Sequence, residues 1–218
     1  MNFSSETLQA ADAGSDDESG RQRLLRAAAI EFADHGYAGA SIAGIASQAG
    51  VSKSTVFHHF ESKQSLYLAV IQAAAREFGQ KLDAVLSEPG QPATGVAAFQ
   101  RAHLNHIRSH PQVATLVLRE LQGNDPERSL ALVRDVLWPN FSRLVRFLND
   151  AASAGVIRSG VDAHAVALTL LSANVMFFQT EQLLKQLPGF ELARDPGAYA
   201  GAVADLVFFG LKPRESSE

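Results

Sequence analysis

Residues Ser41 to Leu66 read SIAGIASQAGVSKSTVFHHFESKQSL, and their pattern is the most informative in the chain about its fold. Ser41 is a favourable N-cap for a short helix whose apolar residues recur at helical spacing, at Ile42, Ile45, Ala46 and Ala49. Gly50 is suited to end that helix, and Ser52 to begin another only two residues later. Two short helices joined by so tight a turn are typical of a helix-turn-helix.

The second helix of this pair, Lys53 to His59, has one apolar side and one polar side. We expect Val56 and Phe60 to pack inward, which leaves small polar or basic groups facing outward: Lys53, Ser54, Thr55, His58 and His59. Groups of this kind suit the base edges and phosphates of a DNA major groove. Lys63 follows in the first turn of the next helix, where backbone amides form a site for phosphate. The alternative is a structural helical hairpin with incidental polar residues.

The same stretch resembles the DNA-binding head of the TetR family of one-component bacterial regulators. The resemblance rests on a small cap, an Ile-Ala pair, Ala-Gly-Val-Ser, an aromatic followed by His-Phe, and Ser-Lys, here Ser41, Ile45-Ala46, Ala49 to Ser52, Phe57, His59-Phe60 and Ser62-Lys63. It covers about residues 21–70. Where the family usually has Tyr this chain has Phe57, which lacks the hydroxyl that would reach a phosphate.

The resemblance implies an all-α homodimer with two recognition helices about one DNA turn apart, reading a near-palindromic operator in double-stranded DNA. It also implies a helical body whose ligand releases the DNA and whose last two helices form the dimer. The DNA contacts that we predict are Ser41, Lys53, Ser54, Thr55, His58, His59 and Lys63.

Composition bounds the class of protein. The 218 residues are 46% hydrophobic and 19% charged, which excludes a disordered or fibrous chain. The absence of cysteine excludes disulfides, thiolate metal sites and cysteine nucleophiles. The net charge of −4 hides an uneven distribution, because residues 1–20 hold five acidic residues and no basic one. Residues 21–65 carry five basic and three acidic residues, so the net charge of the head is positive.

Apolar residues recur at helical spacing along almost the whole chain, and no stretch alternates long enough to form a strand. The first helix has its apolar stripe at Leu25, Ala28, Ala29 and Phe32, and Gly36 is its expected C-terminal cap. The expected helices beyond residue 62 are 63–81, 94–109, 111–122, 126–154 with a kink near Trp138 caused by Pro139, 163–187, and one that begins at Pro196. The predicted organisation is a disordered acidic tail (1–20), a head (21–70), a ligand-binding and dimerisation body (71–212) and a flexible tail (213–218).

The helix from Ala163 is apolar almost all round, yet Glu181 and Lys185 come too early for a membrane span of about 20 residues. A helix that is apolar on every side must be buried on every side. A partner subunit would complete that burial, so we expect a homodimer and no membrane contact.

Candidate ligand residues in the body are His103, Trp138, Asn174 and Phe178. Aromatic residues near a helix kink favour an apolar effector over a sugar or nucleotide. His103, His106 and His110 share a helix face, but no acidic cluster of matching spacing lies nearby in sequence, so we expect no metal site.

No nucleophile elbow, phosphate-binding loop or paired-carboxylate signature is present, so we expect no catalytic residue, no enzyme activity and no cofactor. The sequence therefore predicts a cytoplasmic transcriptional repressor that is released from DNA by a ligand. A ligand-independent helical module that binds DNA or a protein partner is the alternative.

Overall fold

The computed structural model describes residues 5–86, 92–123 and 125–211, and in these ranges it is helical with no β-strand. The helices are α1 (Ser5–Gly39), α2 (Ile42–Ala49), α3 (Lys53–His59), α4 (Lys63–Leu86), α5 (Pro92–Ser109), α6 (Pro111–Leu121), α7 (Pro126–Leu132), α8 (Trp138–Ser153), α9 (Ala163–Leu184) and α10 (Pro196–Leu211). A π-helical segment (Val133–Leu137) joins α7 to α8, and a 3₁₀ turn (Glu191–Arg194) precedes α10. The predicted all-α fold is confirmed.

The first helix differs from its prediction at one end and agrees with it at the other. It begins at Ser5, so residues 5–20 are helical where the sequence predicts a disordered acidic tail. This stretch contains Ala, Leu, Gln and Glu, which favour helix, and no proline that would interrupt it. At the far end Gly36 has a φ of 69°, which breaks the helix where the sequence predicts its C-terminal cap. The predicted tail 213–218 lies outside the described residues.

The chain divides into two compact units, which we call the head unit (residues 1–74 and 112–125) and the body unit (75–111 and 126–218). The predicted boundary after residue 70 assigns 112–125 to the body, whereas the structure assigns this segment to the head unit. Two polar contacts explain the difference: Tyr67 donates a hydrogen bond to the carboxylate of Glu120, 3.1 Å away, and Arg119 donates to the backbone oxygen of Ala33.

In the head unit, buried side chains from α1, α2, α3 and α4 exclude water between these helices. Phe32, Tyr37 and Tyr67 form an aromatic cluster, with ring centroids 5.1 to 6.1 Å apart. The fully buried residues include Leu24, Ala28, Ile45, Val56 and Leu66. This packing fixes the directions in which α2 and α3 present their remaining side chains.

In the body unit, the main core brings together aromatic and aliphatic residues of α4, α5, α8 and α9. Its fully or almost fully buried members include Phe99, Leu82, Leu144, Leu148 and Leu170. A smaller cluster of Leu104, Phe177 and Ala200 joins α5, α9 and α10. Because each contributing helix has an apolar face, burial of those faces holds the unit together.

The kink predicted near Trp138 appears as the π-helical segment that precedes it. Pro139 has no N–H to give to the carbonyl four residues earlier, and its ring would contact that carbonyl. The wider π turn relieves both problems, and the Trp138 N–H bonds instead to the oxygen of Val133, five residues back.

By length and composition, α9 is the one helix among the described residues that could cross a membrane. Core helices of water-soluble proteins pass the same test, and α9 carries polar side chains that form bonds within the body unit. Asn174 and Glu181 are both buried and bond to residues of α5. Other positions of α9 and α10 remain exposed in the single chain, among them Leu168, Met176, Leu183 and Leu206.

Candidate nucleic-acid interface and body polar cluster

The turn between α2 and α3 is stabilised by short local hydrogen bonds. The Ser41 hydroxyl accepts the N–H of Gly44 at 2.9 Å and so caps α2. Gly50 ends α2 with a φ of 69° and a ψ of 35°, and its N–H bonds back to the helix. The Ser52 hydroxyl accepts the N–H of Thr55 at 3.1 Å and caps α3. The predicted caps are therefore confirmed, and the two helices form a helix-turn-helix.

The two sides of α3 separate as the sequence predicts. Val56 is fully buried and Phe60, just after the helix, is nearly so. Lys53, Ser54 and His58 are exposed, while Thr55 and His59 are half-buried. The surface of α3 that faces away from the head core therefore carries hydroxyl, ammonium and imidazole groups together. Phe57 adds an apolar group to this surface, since 52% of its area is exposed.

The hydroxyl groups at the start of α3 form a small network. Ser52 Oγ lies 2.7 Å from the hydroxyl of Ser54 and 2.9 Å from that of Thr55. Each hydroxyl has one proton and two lone pairs, so the network can exchange one internal bond for a bond to DNA. Ser52 was not among the predicted DNA contacts, and its cap position, which the sequence does indicate, is the signal that links it to Thr55.

Lys63 lies in the first turn of α4, as predicted, and its side chain makes a contact that the sequence did not indicate. Its ammonium donates to the backbone oxygen of Ala38 at 3.2 Å and lies over the ring of Tyr37, 4.9 Å from the centroid. An ammonium has three protons, so two donors remain after the bond to Ala38. The nearby start of α4 is closed by a reciprocal pair, in which Ser62 and Ser65 each accept the other's N–H at 3.0 Å.

Glu31 is a contributor to the head that sequence reasoning missed. Its carboxylate accepts a hydrogen bond from the N–H of Ser41 at 3.1 Å, although Glu31 lies ten residues before Ser41 in the chain. Gly44 makes this approach possible, because a Cβ there would lie 2.5 Å from the Glu31 oxygen. The carboxylate positions the start of α2 and places a negative charge there. The contact joins two helices, and no spacing rule would have found it.

In the body unit, His103 and Asn174 lie together, as two of the four predicted ligand residues. The Asn174 amide is fully buried, and its nitrogen lies 3.1 Å from His103 Nδ1 and 3.0 Å from the backbone oxygen of Gln100. Gln100 completes the cluster by donating to the backbone oxygen of Leu170 at 3.1 Å. Among the described residues the Asn174 side-chain oxygen has no hydrogen-bond partner.

Burial keeps the histidines of this cluster neutral. It lowers the pKa of His103 to about 3, and the nearby His106 lowers it further. It also lowers the pKa of His106 to about 4, where His110 acts in the same direction and Glu77 opposes them. Both side chains are therefore uncharged imidazoles at neutral pH.

A second polar group in the body is ionised. Arg108 donates two hydrogen bonds to the buried Glu181, at 3.1 and 3.2 Å, and Lys185 donates a third at 2.6 Å. Burial opposes the charge on Glu181, but the hydrogen bonds from Lys185 and Arg108 outweigh it and lower its pKa. The bidentate pair joins α5 to α9.

Comparison with known proteins agrees with this architecture. The family model described as bacterial regulatory proteins, tetR family, matches residues 24–70. The model for the tetracyclin repressor-like C-terminal domain matches residues 92–201, about half of the chain. The chain belongs to the TetR family.

This TetR-family chain is similar to a curated repressor in sequence and to a solved regulator in fold. It is 34% identical over 107 residues to the HTH-type transcriptional repressor AcnR of Corynebacterium diphtheriae, an alignment that covers 49% of this chain and 52% of AcnR. It thus spans about half the length of that curated relative. The fatty acid degradation regulator FadR from Bacillus halodurans has the same fold, with a TM-score of 0.75 at 19% identity, over 89% of this chain and 97% of FadR.

A second solved structure of the same fold contains a ligand. The FadR of Bacillus subtilis in complex with stearoyl-CoA superposes with a TM-score of 0.74 at 19% identity, over 87% of this chain and 98% of that one. At this identity the likeness is one of fold alone.

Of the other two predicted ligand residues of this TetR-family body, Trp138 lies apart from the His103–Asn174 cluster and Phe178 lies on the same helix face as Asn174. Trp138 is 49% exposed and lies beside Phe141 and His164, with ring centroids 5.5 and 6.4 Å away. His164 precedes Asn174 by ten residues on α9, which is about 15 Å along the helix axis. Phe178 is half-buried one helical turn after Asn174, so it shares a face with that residue.

Proposed function

We propose that this protein is a sequence-specific DNA-binding transcriptional repressor that acts in the bacterial cytoplasm. The observation that carries the proposal is the outward surface of α3, where Lys53, Ser54, Thr55 and His58 project from a helix anchored by Val56. A helix of this kind enters the major groove, where side chains of these types read base edges. The name of the AcnR relative, a transcriptional repressor, supports the sign of regulation.

Within this interface we assign different tasks to different residues. Thr55 and His58 read base edges, while Lys53, Ser54, His59, Lys63 and Ser41 hold phosphates. Phe57 contacts a thymine methyl group or a sugar, because its exposed ring has no hydroxyl with which to reach a phosphate. When a phosphate approaches, the Lys63 ammonium donates a hydrogen bond to it, either in place of the bond to the Ala38 oxygen or in addition to that bond.

The protein acts as a homodimer through α9 and α10. In the single chain these helices expose large apolar side chains, including Met176 on α9 and Leu206 on α10, which is 77% exposed. Exposed apolar residues on adjoining helices are typical of an interface between subunits. Two copies related by a two-fold axis would present two α3 helices to a near-palindromic site.

Replacing Leu206 with Glu tests the dimer, because two like charges would be buried across the two-fold axis. We expect L206E to be monomeric in analytical ultracentrifugation at micromolar concentration. L130E is the matched control, since Leu130 is a similarly exposed leucine on α7, outside the proposed interface. A dimeric L206E protein would place the interface elsewhere.

The effector is an apolar molecule with a polar end, and its binding in the body unit releases the DNA. The buried His103–Asn174 pair supports this proposal, because the unpartnered Asn174 oxygen accepts a donor from a ligand that enters. The stearoyl-CoA in the B. subtilis structure supports an acyl chain as the apolar part. Stearoyl-CoA and free stearic acid, each below its micelle concentration, are the probes to add to a protein–DNA complex.

Capture of genomic DNA tests the proposal as a whole. Purified protein is mixed with fragmented genomic DNA at low and moderate salt, and the bound fragments are sequenced. We expect a shared near-palindromic site that is retained at moderate salt, since base contacts add to the salt-sensitive phosphate contacts. Recovery of fragments without a common site at both salts would contradict sequence-specific binding.

A further inference from the structure

Three side chains of the body unit bring metal-ligating atoms together, apart from the proposed DNA interface. Glu77 lies on α4, His106 on α5, and His110 directly after α5. One ligating atom from each lies within 4.8 Å of the others. The two histidines are four residues apart, a spacing that places both on one helix face and is used for metal binding elsewhere.

His110 is oriented as a metal ligand requires. Its Nδ1 lies 3.0 Å from the backbone oxygen of His106 and 3.3 Å from the hydroxyl of Ser109. A carbonyl oxygen can only accept, so Nδ1 carries the proton and the lone pair of the neutral ring is on Nε2. A backbone oxygen that holds one histidine nitrogen while the other faces a metal is a recurrent arrangement.

The Nε2 of His110 faces a carboxylate oxygen rather than a donor. It lies 3.1 Å from Oε2 of Glu77. If the ring is neutral, His110 Nε2 and Glu77 Oε2 both present lone pairs at hydrogen-bond distance, so the two atoms repel each other. A cation between them, or a second proton on the ring, removes the repulsion. Lys81 bonds the other oxygen of Glu77 at 2.7 Å, so Oε2 is the oxygen that faces the cluster.

His106 supplies the independent observation. Its side chain is only 8% exposed and stacks on Phe78, with ring centroids 5.0 Å apart. Among the described residues its Nδ1 has no hydrogen-bond partner, although it is buried. Buried polar atoms are almost always bonded, so an unpartnered nitrogen beside a second imidazole indicates a ligand that belongs there.

We propose that Glu77, His106 and His110 bind a divalent transition-metal ion, with zinc as the ion that fits them best. Two imidazoles and one carboxylate, with a fourth position for water, are a common donor set for zinc. Metal–ligand bonds of about 2.0–2.1 Å put tetrahedral ligand atoms about 3.3 Å apart. The His110–Glu77 distance of 3.1 Å already matches, and rotation of side chains brings the third ligand in. Calcium and magnesium prefer all-oxygen sites and fit less well.

The sequence predicts no metal here because it shows no acidic partner near the three histidines. The acid comes from α4, 29 residues before His106. His103, the third histidine of the face, bonds Asn174 instead and takes no part.

Cobalt is the probe, because tetrahedral Co²⁺ has visible absorption bands and zinc displaces it. Untagged full-length protein is treated with a chelator, dialysed and titrated with Co²⁺. We expect one equivalent to bind per chain, with loss of the visible bands when Zn²⁺ is added. E77Q and H110Q each lower the Co²⁺ affinity at least about tenfold. Both residues are partly exposed, so these variants keep the fold, which circular dichroism verifies.

H164Q is the matched control. His164 also faces a carboxylate, that of Asp162 at 3.6 Å, but it is not a member of the three-residue cluster. Its removal leaves the cobalt affinity unchanged. Absence of stoichiometric cobalt binding in the wild type, or equal affinities for the wild type and H110Q, would overturn the proposal. The titration contains no DNA, so its outcome is independent of the proposed repressor function.

Discussion

The outward surface of α3 and the buried contact between α5 and α9 both carry polar side chains on helices, but in opposite circumstances. On α3, Lys53 and His58 are exposed to water, which satisfies their hydrogen bonds until another partner arrives. Between α5 and α9, the side chains of His103 and Asn174 are buried and bond to each other. Loss of a polar group therefore has different costs in the two regions.

This difference separates binding from stability. An exposed side chain contributes little to folding, so changing it alters the interaction with a partner and leaves the free energy of unfolding nearly constant. A buried polar side chain leaves unpaired groups behind when it is removed, so the free energy of unfolding falls. Variants on α3 should therefore change DNA binding, and variants between α5 and α9 should change the free energy of unfolding.

The largest effect is expected on α3. The double variant K53A/T55A removes the phosphate contact that we propose for Lys53 and the base contact that we propose for Thr55. A base contact is worth about 1–3 kcal/mol of discrimination. We expect the affinity for the operator to fall by about 30- to 10³-fold, with only a small change in the melting temperature because the Thr55 N–H still bonds to the Ser52 cap. Fluorescence anisotropy and differential scanning calorimetry measure the two quantities. A large drop in melting temperature would mean that these side chains support the fold instead.

The buried histidines should make the stability of the body depend on pH. The folded-state pKa of His103 is about 3 and that of His106 about 4, below the value of about 6.5 for an unfolded chain. The unfolded state therefore binds protons first as the pH falls. Stability is complete above pH 6.5 and decreases below it, by about 2 kcal/mol for each histidine at pH 5.

Urea unfolding with chelator present, at several pH values from 7.5 to 5, measures this loss. The ionisable groups that face His106 are Glu77, Lys81 and His110. The variant H103N keeps a polar group without a titrating ring, and its pH dependence should be shallower than that of the wild type. Equal slopes for the two proteins would contradict the assignment to His103.

Removal of the Asn174 amide should have an intermediate effect. N174A leaves the Gln100 oxygens and His103 Nδ1 without their donor, which lowers the free energy of unfolding by about 1–3 kcal/mol. Q179A, an exposed position on the same helix, should change it by less than about 0.5 kcal/mol. Chemical denaturation compares the two. A similar small change in both variants would mean that the cluster adds no stability.

The smallest effect is expected at Lys63, whose side chain should contribute both to DNA binding and to the stability of the fold. K63A loses the phosphate contact that we propose for Lys63 and also the bond to the Ala38 oxygen, so binding and stability should each change by about 1 kcal/mol. The weakening should be the same for every DNA sequence, with a shallower dependence of affinity on salt. Loss confined to one half-site sequence would exclude the phosphate role.

The parts of the molecule that were predictable from the sequence are those fixed by neighbours in the chain. The caps at Ser41 and Ser52 and the turn at Gly50 depend on bonds across three or four residues, and the structure confirms all three. The Pro139 kink was predicted at the correct place, but its form as a π segment was not. Whether the chain forms an α-helical or a π-helical turn at such a kink depends on the packing around it.

The remaining contacts join residues that are distant in sequence. Glu31 reaches Ser41 from another helix, and Asn174 bonds Gln100 across 74 residues. The sequence shows that these positions carry polar side chains, but it does not show which residues they bond to. The same holds for Glu77, which contacts His110 only after α4 and α5 have packed together.

Sequence-specific recognition by α3 is best tested with two DNA duplexes of equal length, the recovered palindromic site and a scrambled version of it. The quantity to measure is the ratio of the two affinities. It should be measured by anisotropy at about 150 mM salt, where contacts to phosphate alone are weakened. A specific repressor that reads bases through α3 should prefer its site by about 10³-fold or more. A ratio near one would contradict the assignment of α3 as a recognition helix.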